Sequence, residues 1–471
     1  MKRHMQIPDH IHILGICGTA MAAIAKLAKD MGCHVTGSDS GIYPPMSDFL
    51  KAEGITALDG FDAAHLEPAP DLVIVGNAMS RGNVEVEAVL DRGLPYMSGP
   101  AFIDRYVLAD KHAVVVAGTH GKTSTASLLA HVLEEAGLAP GFLIGGIPEN
   151  FGSGARLGEG EYFVLEGDEY DTAFFDKRSK FLHYHTRTLI LNNLEYDHAD
   201  IFPDLEAIKT QFYHLVRTVP SQGRIVVNTD DTNFADVLNR GCWTPLIPFG
   251  EKGKSKAHDG WQWEALSDDG SAFRLYQQGK QLMDVQWSMI GVHNVTNACA
   301  VAATAMELGV SLEVLKQAFE SFRGIQRRMT LVGEVKGVKV FDDFAHHPTA
   351  IASMVSSARA SMSGEGRLWV VIEPRSNTMR TKIHQSRLPQ CFDGADFVIF
   401  VPPAPRGMQQ DELLDVNTVC HNIGEHAQVL PDAATIVDFI SAHAKAGDSV
   451  LILSNGGFEG IHQRLLARLG Q

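Results

Sequence analysis

The sequence predicts an α/β chain of three domains, each built on a mostly parallel sheet. Its 471 residues suggest about three domains at roughly 150 residues each. Short β-branched runs alternate with amphipathic stretches along the whole chain, the pattern of strands covered by helices. The alternation resets near residues 108 and 326, which divides the chain into 1–108, 109–326 and 327–471. Hydrophobic residues at 45% and charged residues at 20% match a globular composition and exclude disorder or a collagen-like chain.

In the first domain, Ile11–Ile16 reads as a strand, Ala20–Asp30 as a helix, and His34–Gly37 and Asp71–Gly76 as further strands. Gly15-Ile-Cys-Gly-Thr-Ala20 follows the first strand and opens the helix, and Ser38-Asp39 ends the second. This is a weakened dinucleotide-type fingerprint, with Cys17 and Ala20 at two of its glycine positions. It makes the N-terminal domain Rossmann-like. Lys2 and Arg3 before the apolar stretch Ile11–Ala25 imitate a secretory leader. Gly15 and Gly18 interrupt that stretch and the helical pattern runs on through Lys26, Leu27 and Lys29, so a folded unit is expected instead.

The second domain opens on the apolar strand Ala113–Ala117, followed at once by Gly118-Thr-His-Gly-Lys-Thr123 and the helix Ser124–Ala136. Amides at a helix start cradle phosphates, a lysine there offsets β- and γ-phosphate charge, and the Thr123 hydroxyl can hold magnesium. The usual spacing would put glycine at 116, where this chain has Val116, so the loop is a variant P-loop and the domain P-loop ATPase-like. Strands at Tyr162–Leu165 and Thr188–Leu191 run into Glu166-Gly-Asp-Glu-Tyr-Asp171 and Asn192-Asn-Leu-Glu-Tyr-Asp-His-Ala-Asp200. Magnesium prefers hard oxygen ligands, which makes Glu166, with His198, the candidate metal ligand beside Thr123. Arg224–Asn228 is a further strand, Glu251–Trp287 a small antiparallel excursion, and Thr296–Leu308 an alanine-rich helix opened by His293-Asn-Val-Thr-Asn297.

Arg323-Gly-Ile-Gln-Arg-Arg328 places cations at the second boundary. Beyond it, strands are expected at Val338–Phe341, Leu368–Ile372, Phe397–Val401 and Val450–Leu453, with a helix at Ala433–Ala444. Asp342-Asp-Phe-Ala-His-His-Pro348 and Glu373-Pro-Arg-Ser-Asn-Thr-Met-Arg380 follow two of these strands, at the sheet end where such domains bind ligands. The C-terminal domain is again Rossmann-like.

Charge and cysteine usage narrow the partners. Forty basic against fifty-six acidic side chains give a net charge of −16, a poor basis for binding nucleic acid. No segment is apolar for the roughly 20 residues a membrane span requires. Six cysteines without a CxxC pair argue against a disulfide framework or a thiolate zinc site and for a reducing, cytoplasmic compartment. No obligate protein partner is indicated.

In order along the chain, GTHGKT, EGDEYD, EYDHAD, HNVTN, RGIQRR and DDFAHHP resemble the motifs of the Mur ligase family, over essentially the whole length. The resemblance implies an ATP- and magnesium-dependent ligase that forms an amide through an acyl phosphate. Within the family, GICGTAM and DDFAHHP are most similar to enzymes acting directly on UDP-N-acetylmuramate. GICGTA, EYDTAFFDKRSKF (Glu169–Phe181) and EPRSNTMR favour the peptidoglycan-recycling branch, which attaches L-alanyl-γ-D-glutamyl-meso-diaminopimelate, over the branch that adds L-alanine. The resemblance places Gly118, Thr119, His120, Gly121, Lys122, Thr123 and Ser124 around the ATP phosphates, with Thr123, Glu166 and His198 on magnesium. It sets His293 and Asn297 toward adenine, Arg327 toward the phosphates and Asp343 toward the ribose. It sets Gly18, Ser38 and Asp39 along the UDP group, and His346, Arg375, Ser376, Asn377 and Arg380 toward the peptide. Several family members carry a carbamylated lysine after the DH motif; here Phe212 occupies that spacing and Lys209 is out of phase, so none is expected. A nicotinamide-dependent oxidoreductase would leave the P-loop unexplained, a P-loop motor the third domain, and a non-catalytic nucleotide-binding regulator would bind without turnover.

Overall fold

Three sheets, formed one after another along the chain, set the architecture of the computed structural model, which describes residues 6–43, 46–362 and 364–471. Lys2 and Arg3 lie outside the described residues. The first sheet is wholly parallel, with β1 (His10–Leu14), β2 (His34–Asp39), β3 (Thr56–Asp59), β4 (Leu72–Val75) and β5 (Tyr96–Ser98) in the order β3-β2-β1-β4-β5. Its helix Thr19–Asp30 buries a stripe of alanines with Ile24 and Leu27 against the sheet.

The second sheet has ten strands. They are β6 (His112–Ala117), β7 (Gly141–Leu143), β8 (Ala155–Arg156), β9 (Tyr162–Gly167), β12 (Thr188–Leu191), β13 (Arg224–Asn228), β14 (Leu246–Glu251), β15 (Trp261–Ala265), β16 (Ala272–Gln277) and β17 (Lys280–Gln286). A separate hairpin, β10 (Asp171–Ala173) and β11 (Asp176–Ser179), leaves the sheet between β9 and β12. The order β17-β16-β15-β14-β13-β12-β6-β9-β7-β8 buries the apolar runs of β6, β9 and β12 in the middle. The expected excursion is antiparallel only from β15 onward, because β15 pairs parallel with β14 and so extends the main sheet.

The third sheet joins β18 (Thr330–Val335), β19 (Val338–Asp343), β20 (Leu368–Ile372), β21 (Phe397–Phe400), β22 (Ala427–Val429) and β23 (Ser449–Leu453). Its order is β18-β19-β23-β20-β21-β22, parallel except for the edge strand β18. Among the described residues, no helix is long and apolar enough to cross a membrane, and all six cysteines are free thiols.

Two helices start earlier than the sequence suggests. The phosphate-loop helix begins at Lys122 rather than Ser124 and the alanine-rich helix at Val292 rather than Thr296, so their polar motifs form the first turns themselves. In helix Leu205–Thr218, Phe212 is fully buried between the rings of Phe181 and Phe234, while Lys209 pairs with Asp236 at 2.7 Å and Glu206 at 3.1 Å. Phe212→Ala should therefore destabilise the central domain by roughly 3–5 kcal/mol, the usual cost of removing a buried phenyl group. A urea titration followed by tryptophan fluorescence would show it as a lowered midpoint; an unchanged midpoint would contradict the packing.

Candidate active site

Strands β12, β6 and β9 end on one rung: Ala117 is opposite Leu191 on one side and Gly167 on the other. The GTHGKT loop, the EGDEYD segment and the NNLEYDHAD segment therefore leave the sheet side by side. Asn193 fastens the first to the last. Its carbonyl accepts from the Thr119 amide at 3.0 Å, its side-chain oxygen from the His120 amide at 2.7 Å, and its side-chain NH2 donates to the His120 carbonyl at 3.1 Å. Gly121 has φ +75°, and a Cβ there would lie 2.9 Å from Asn297 Oδ1, so both conformation and space require glycine. No side chain caps the helix that follows, which leaves its first amides for anionic oxygens.

Charge is concentrated at this end. Lys122 Nζ donates to the Gly118 carbonyl at 2.7 Å and to Glu169 at 3.1 Å, with Asp168 3.8 Å away. Burial opposes its charge, but Glu169, Asp168 and Glu166 together hold its pKa above the ordinary lysine range. Thr123 donates its hydroxyl to Glu166 Oε2 at 3.0 Å, and the Gly145 amide fixes Glu166 Oε1 at 2.6 Å. Burial, reinforced by Asp168, pushes the Glu166 pKa up against the opposing pull of the Gly145 amide and Lys122. A hydroxyl and a carboxylate placed together at the phosphate loop are hard oxygen donors, and they fit magnesium. His198, at φ +53°, lies with Nε2 3.6 Å from Glu169 Oε1 and its ring against Tyr170.

The residues expected around the nucleoside are more dispersed. Asn297 is buried beside Gly121 and Asn192, as a base-edge contact would need. The His293 ring meets Ser353 of the C-terminal domain at 2.8 Å, and burial with Arg328 nearby holds its pKa down to about 4. Arg327 donates to Asp342 at 3.0 Å and to the carbonyls of Ser454 and Gly456 at 2.8 and 2.7 Å, on the C-terminal side of the boundary. Asp343 corrects its expected role in this arrangement: it is 1% exposed, and its oxygens accept from the Met329 and Ala345 amides at 2.8 and 2.7 Å. It braces the backbone at Met329 and Ala345.

A cavity of about 290 Å³ opens between the DHAD segment and the C-terminal domain, lined by His198, His346, Arg375, Ser376 and Asn377. These five were expected near metal or peptide, and the fold brings them together. His346 Nδ1 lies 2.9 Å from the Phe344 carbonyl, which can only accept, so the ring proton is on Nδ1 and Nε2 keeps its lone pair. Burial lowers its pKa and keeps the ring neutral. Arg375 reaches Glu373 at 3.5 Å through one nitrogen and lies over Gly456, where an added Cβ would meet the guanidinium at 2.4 Å. Arg380 is a correction. It is 5% exposed and donates to Asn377 Oδ1 at 2.6 Å, so it orients Asn377 instead of meeting a peptide.

Asp197, Asp200, Thr378, Arg406 and Asn455 also line the cavity and were not singled out by sequence. The acids lie inside a motif already recognised, whereas Arg406 and Asn455 come from stretches with no pattern to mark them. Burial works against the charge of Asp197, yet His198, His346 and His347 hold its pKa well below the usual carboxylate range.

In the N-terminal domain, Gly18 is exposed where helix Thr19–Asp30 begins. Asp39 accepts from the Cys17 amide at 2.9 Å and the Gly41 amide at 3.1 Å, shaping the loop that carries Gly18. Ser38 is a third correction: its side chain is fully buried with its hydroxyl on Glu85, so it supports the loop from beneath. The β10–β11 hairpin reaches this domain. Phe174 joins the cluster of Leu14, Val73 and Val75, and Phe175 meets Tyr96 edge to face at 5.0 Å.

An uncapped phosphate loop beside a hard-oxygen pair, in a chain that also holds a cavity lined by both arginines and aspartates at a domain junction, is the layout of an ATP-using, bond-forming enzyme. The chain belongs to the Mur ligase family: its Mur ligase family catalytic domain matches residues 10–111, the Mur ligase middle domain 116–305, and the Mur ligase glutamate ligase domain 327–456. It is 48% identical over 461 residues to the UDP-N-acetylmuramate–L-alanyl-γ-D-glutamyl-meso-2,6-diaminoheptandioate ligase of Escherichia coli K12, covering 98% of each chain. The solved murein peptide ligase of Psychrobacter arcticus superposes with a TM-score of 0.76 at 47% identity, over 98% of this chain and 99% of that one. The UDP-N-acetylmuramate–L-alanine ligase of Acetivibrio thermocellus is 30% identical over 95% of this chain and 93% of its own. Lys122→Ala removes the cation nearest the loop and should lower ATP-dependent turnover by about a hundredfold, roughly 3 kcal/mol of transition-state stabilisation. Stopped-time assays on a variant with unchanged circular dichroism would test this; near-normal turnover would place ATP elsewhere.

Proposed function

We propose that the chain uses ATP and magnesium to join the recycled tripeptide L-alanyl-γ-D-glutamyl-meso-diaminopimelate to UDP-N-acetylmuramate, giving ADP and phosphate. In this reading residues 1–108 bind UDP-N-acetylmuramate, 109–326 bind ATP and 327–471 bind the peptide, in the cytoplasm, with no obligate protein partner. The cavity carries the proposal: Arg375 and Arg406 supply two guanidinium forks where L-alanine has a single carboxylate, with Asp197 and Asp200 sharing the lining, and guanidinium forks suit carboxylates. The likeness to the Escherichia coli enzyme supports the same substrate.

A carboxylate does not acylate an amine at neutral pH, so the muramoyl carboxylate oxygen first attacks the γ-phosphorus and ADP leaves. Lys122 and Arg327 offset the charge that gathers there. Thr123, Glu166 and His198 would hold magnesium, which supplies further neutralisation of the phosphate oxygens. The peptide amine then attacks the acyl carbon and phosphate departs. His346 Nε2, neutral and facing the cavity, takes the proton that the amine must lose. Gly18 and Asp39 fix the loop under the UDP group, and His293 and Asn297 border the adenine.

Phosphate release measured with ATP, UDP-N-acetylmuramate and either the tripeptide or L-alanine decides between this reading and the L-alanine-adding one. The tripeptide should be strongly preferred. Arg375→Ala should raise the peptide KM at least tenfold with the KM values for ATP and UDP-N-acetylmuramate nearly unchanged, as loss of about 1.4 kcal/mol or more of charged hydrogen bonding implies. Preference for L-alanine, or an unmoved peptide KM, would sink the assignment. Glu166→Gln keeps the side-chain shape but removes the charge a hard cation seeks, so it should raise the magnesium concentration for half-maximal turnover at least tenfold. A wild-type magnesium titration would show that another carboxylate holds the ion.

A further inference from the structure

Beside the phosphate loop, three potential ligands of a different character converge from three places in the chain. His120 comes from the loop after β6, Glu195 from the segment after β12, and His347 from the cap of helix Pro348–Ser361 in the C-terminal domain. One ligand atom from each lies within 4.8 Å of the other two. The His120 and His347 rings face each other at 4.4 Å, tilted by 40°. His120 Nε2 is shut off from solvent without a hydrogen-bond partner, and Glu195 Oε1 lies 3.7 Å from it.

We propose that His120, Glu195 and His347 form a binding site for a borderline-soft divalent cation of the zinc type, bridging the central and C-terminal domains. Two imidazoles and one carboxylate, with a fourth position open to water, are a donor set suited to zinc. The set differs from the Thr123–Glu166 oxygen pair, which suits magnesium. A tetrahedral ion with ligands at about 2.0–2.2 Å holds them roughly 3.4 Å apart, so the three side chains need close by only about an ångström. His347 holds Nε2 against the Tyr196 carbonyl at 3.2 Å and caps the Thr349 amide through Nδ1 at 3.4 Å, so the ion replaces one of these two contacts. The surroundings otherwise hold two of the ligands in place. Thr349 donates its hydroxyl to Glu195 Oε2 at 2.7 Å, leaving Oε1 turned toward His120, and the ring of His384 packs edge-on against His347 at 4.7 Å. Such outer contacts fix the orientation of metal ligands. A cation here ties the phosphate loop to the C-terminal domain, so its binding opposes any catalytic step in which those two parts separate.

The test uses the full-length, tag-free, metal-stripped chain in millimolar magnesium, titrated with zinc alone in a competition assay against a zinc-chelating dye. One zinc ion per chain should bind. His347→Asn retains a side chain that caps helices well but lacks the imidazole, and should weaken zinc binding by at least about 100-fold, since even outer partners of such sites are worth about 10–100-fold. Glu195→Gln should weaken it too. His198→Ala, which alters the magnesium site, should bind zinc within about threefold of the wild type. Cobalt substituted for zinc should give d–d absorption without a thiolate charge-transfer band, which excludes Cys17 and Cys242 as the ligands. Stoichiometric binding lost in His198→Ala, binding indifferent to both His347→Asn and Glu195→Gln, a thiolate band, or no site at all would each overturn the proposal.

Discussion

The common rung of β12, β6 and β9 is the constraint from which the site follows. Parallel pairing puts Leu191, Ala117 and Gly167 level, so the GTHGKT loop, an acidic segment and the segment carrying His198 emerge as neighbours, although they lie far apart in sequence. Asn193 then converts adjacency into geometry with three hydrogen bonds to the loop. A loop of this kind has unpaired amides and a glycine in a left-handed conformation, and both lower its own stability. The offsetting contacts come from the neighbouring strand's end rather than from the loop itself.

Contacts between domains are made by the same segments that build the site. The β10–β11 hairpin leaves Glu169, the partner of Lys122, and pushes Phe174 and Phe175 into the N-terminal domain. The DHAD segment touches the C-terminal domain through Asp200 and Asn377 at 2.9 Å. His347 adds a bond to the Tyr196 carbonyl at 3.2 Å. Glu169 and the DHAD segment are therefore both electrostatic parts of the site and mechanical links, and a substitution at either acts on both functions.

Much of this was legible in the sequence. Strands Thr188–Leu191, Arg224–Asn228 and Leu368–Ile372 have the bounds their apolar runs suggest, because a strand buried on both faces is marked at each end by polar residues. The GTHGKT loop, Glu166 and His198 were marked by their place at strand ends, and His346, Arg375, Ser376 and Asn377, which share one cavity, by the family resemblance alone. What escaped was side-chain direction. Ser38, Arg380 and Asp343 lie in the expected segments, but each points inward to Glu85, Asn377 or the Met329 and Ala345 amides. A motif fixes where the backbone runs, not which of its alternating faces a side chain takes. Arg406 and Asn455 had no pattern at all, since only the tertiary fold carries them to the cavity.

Gly456 has a consequence for how the sequence can drift. Its carbonyl accepts from Arg327 and its Cα lies under the guanidinium of Arg375, so one position without a side chain serves two arginines. Any replacement with a Cβ evicts Arg375 from its resting place, while replacing Arg375 by a small residue removes the objection to a side chain at 456. The guanidinium is the flexible end of its side chain and can yield, so the two positions are coupled, with 456 answering to what stands at 375. In a lineage of such chains, a change at 375 would leave its trace at 456, a residue that need not touch whatever the arginine meets in the cavity.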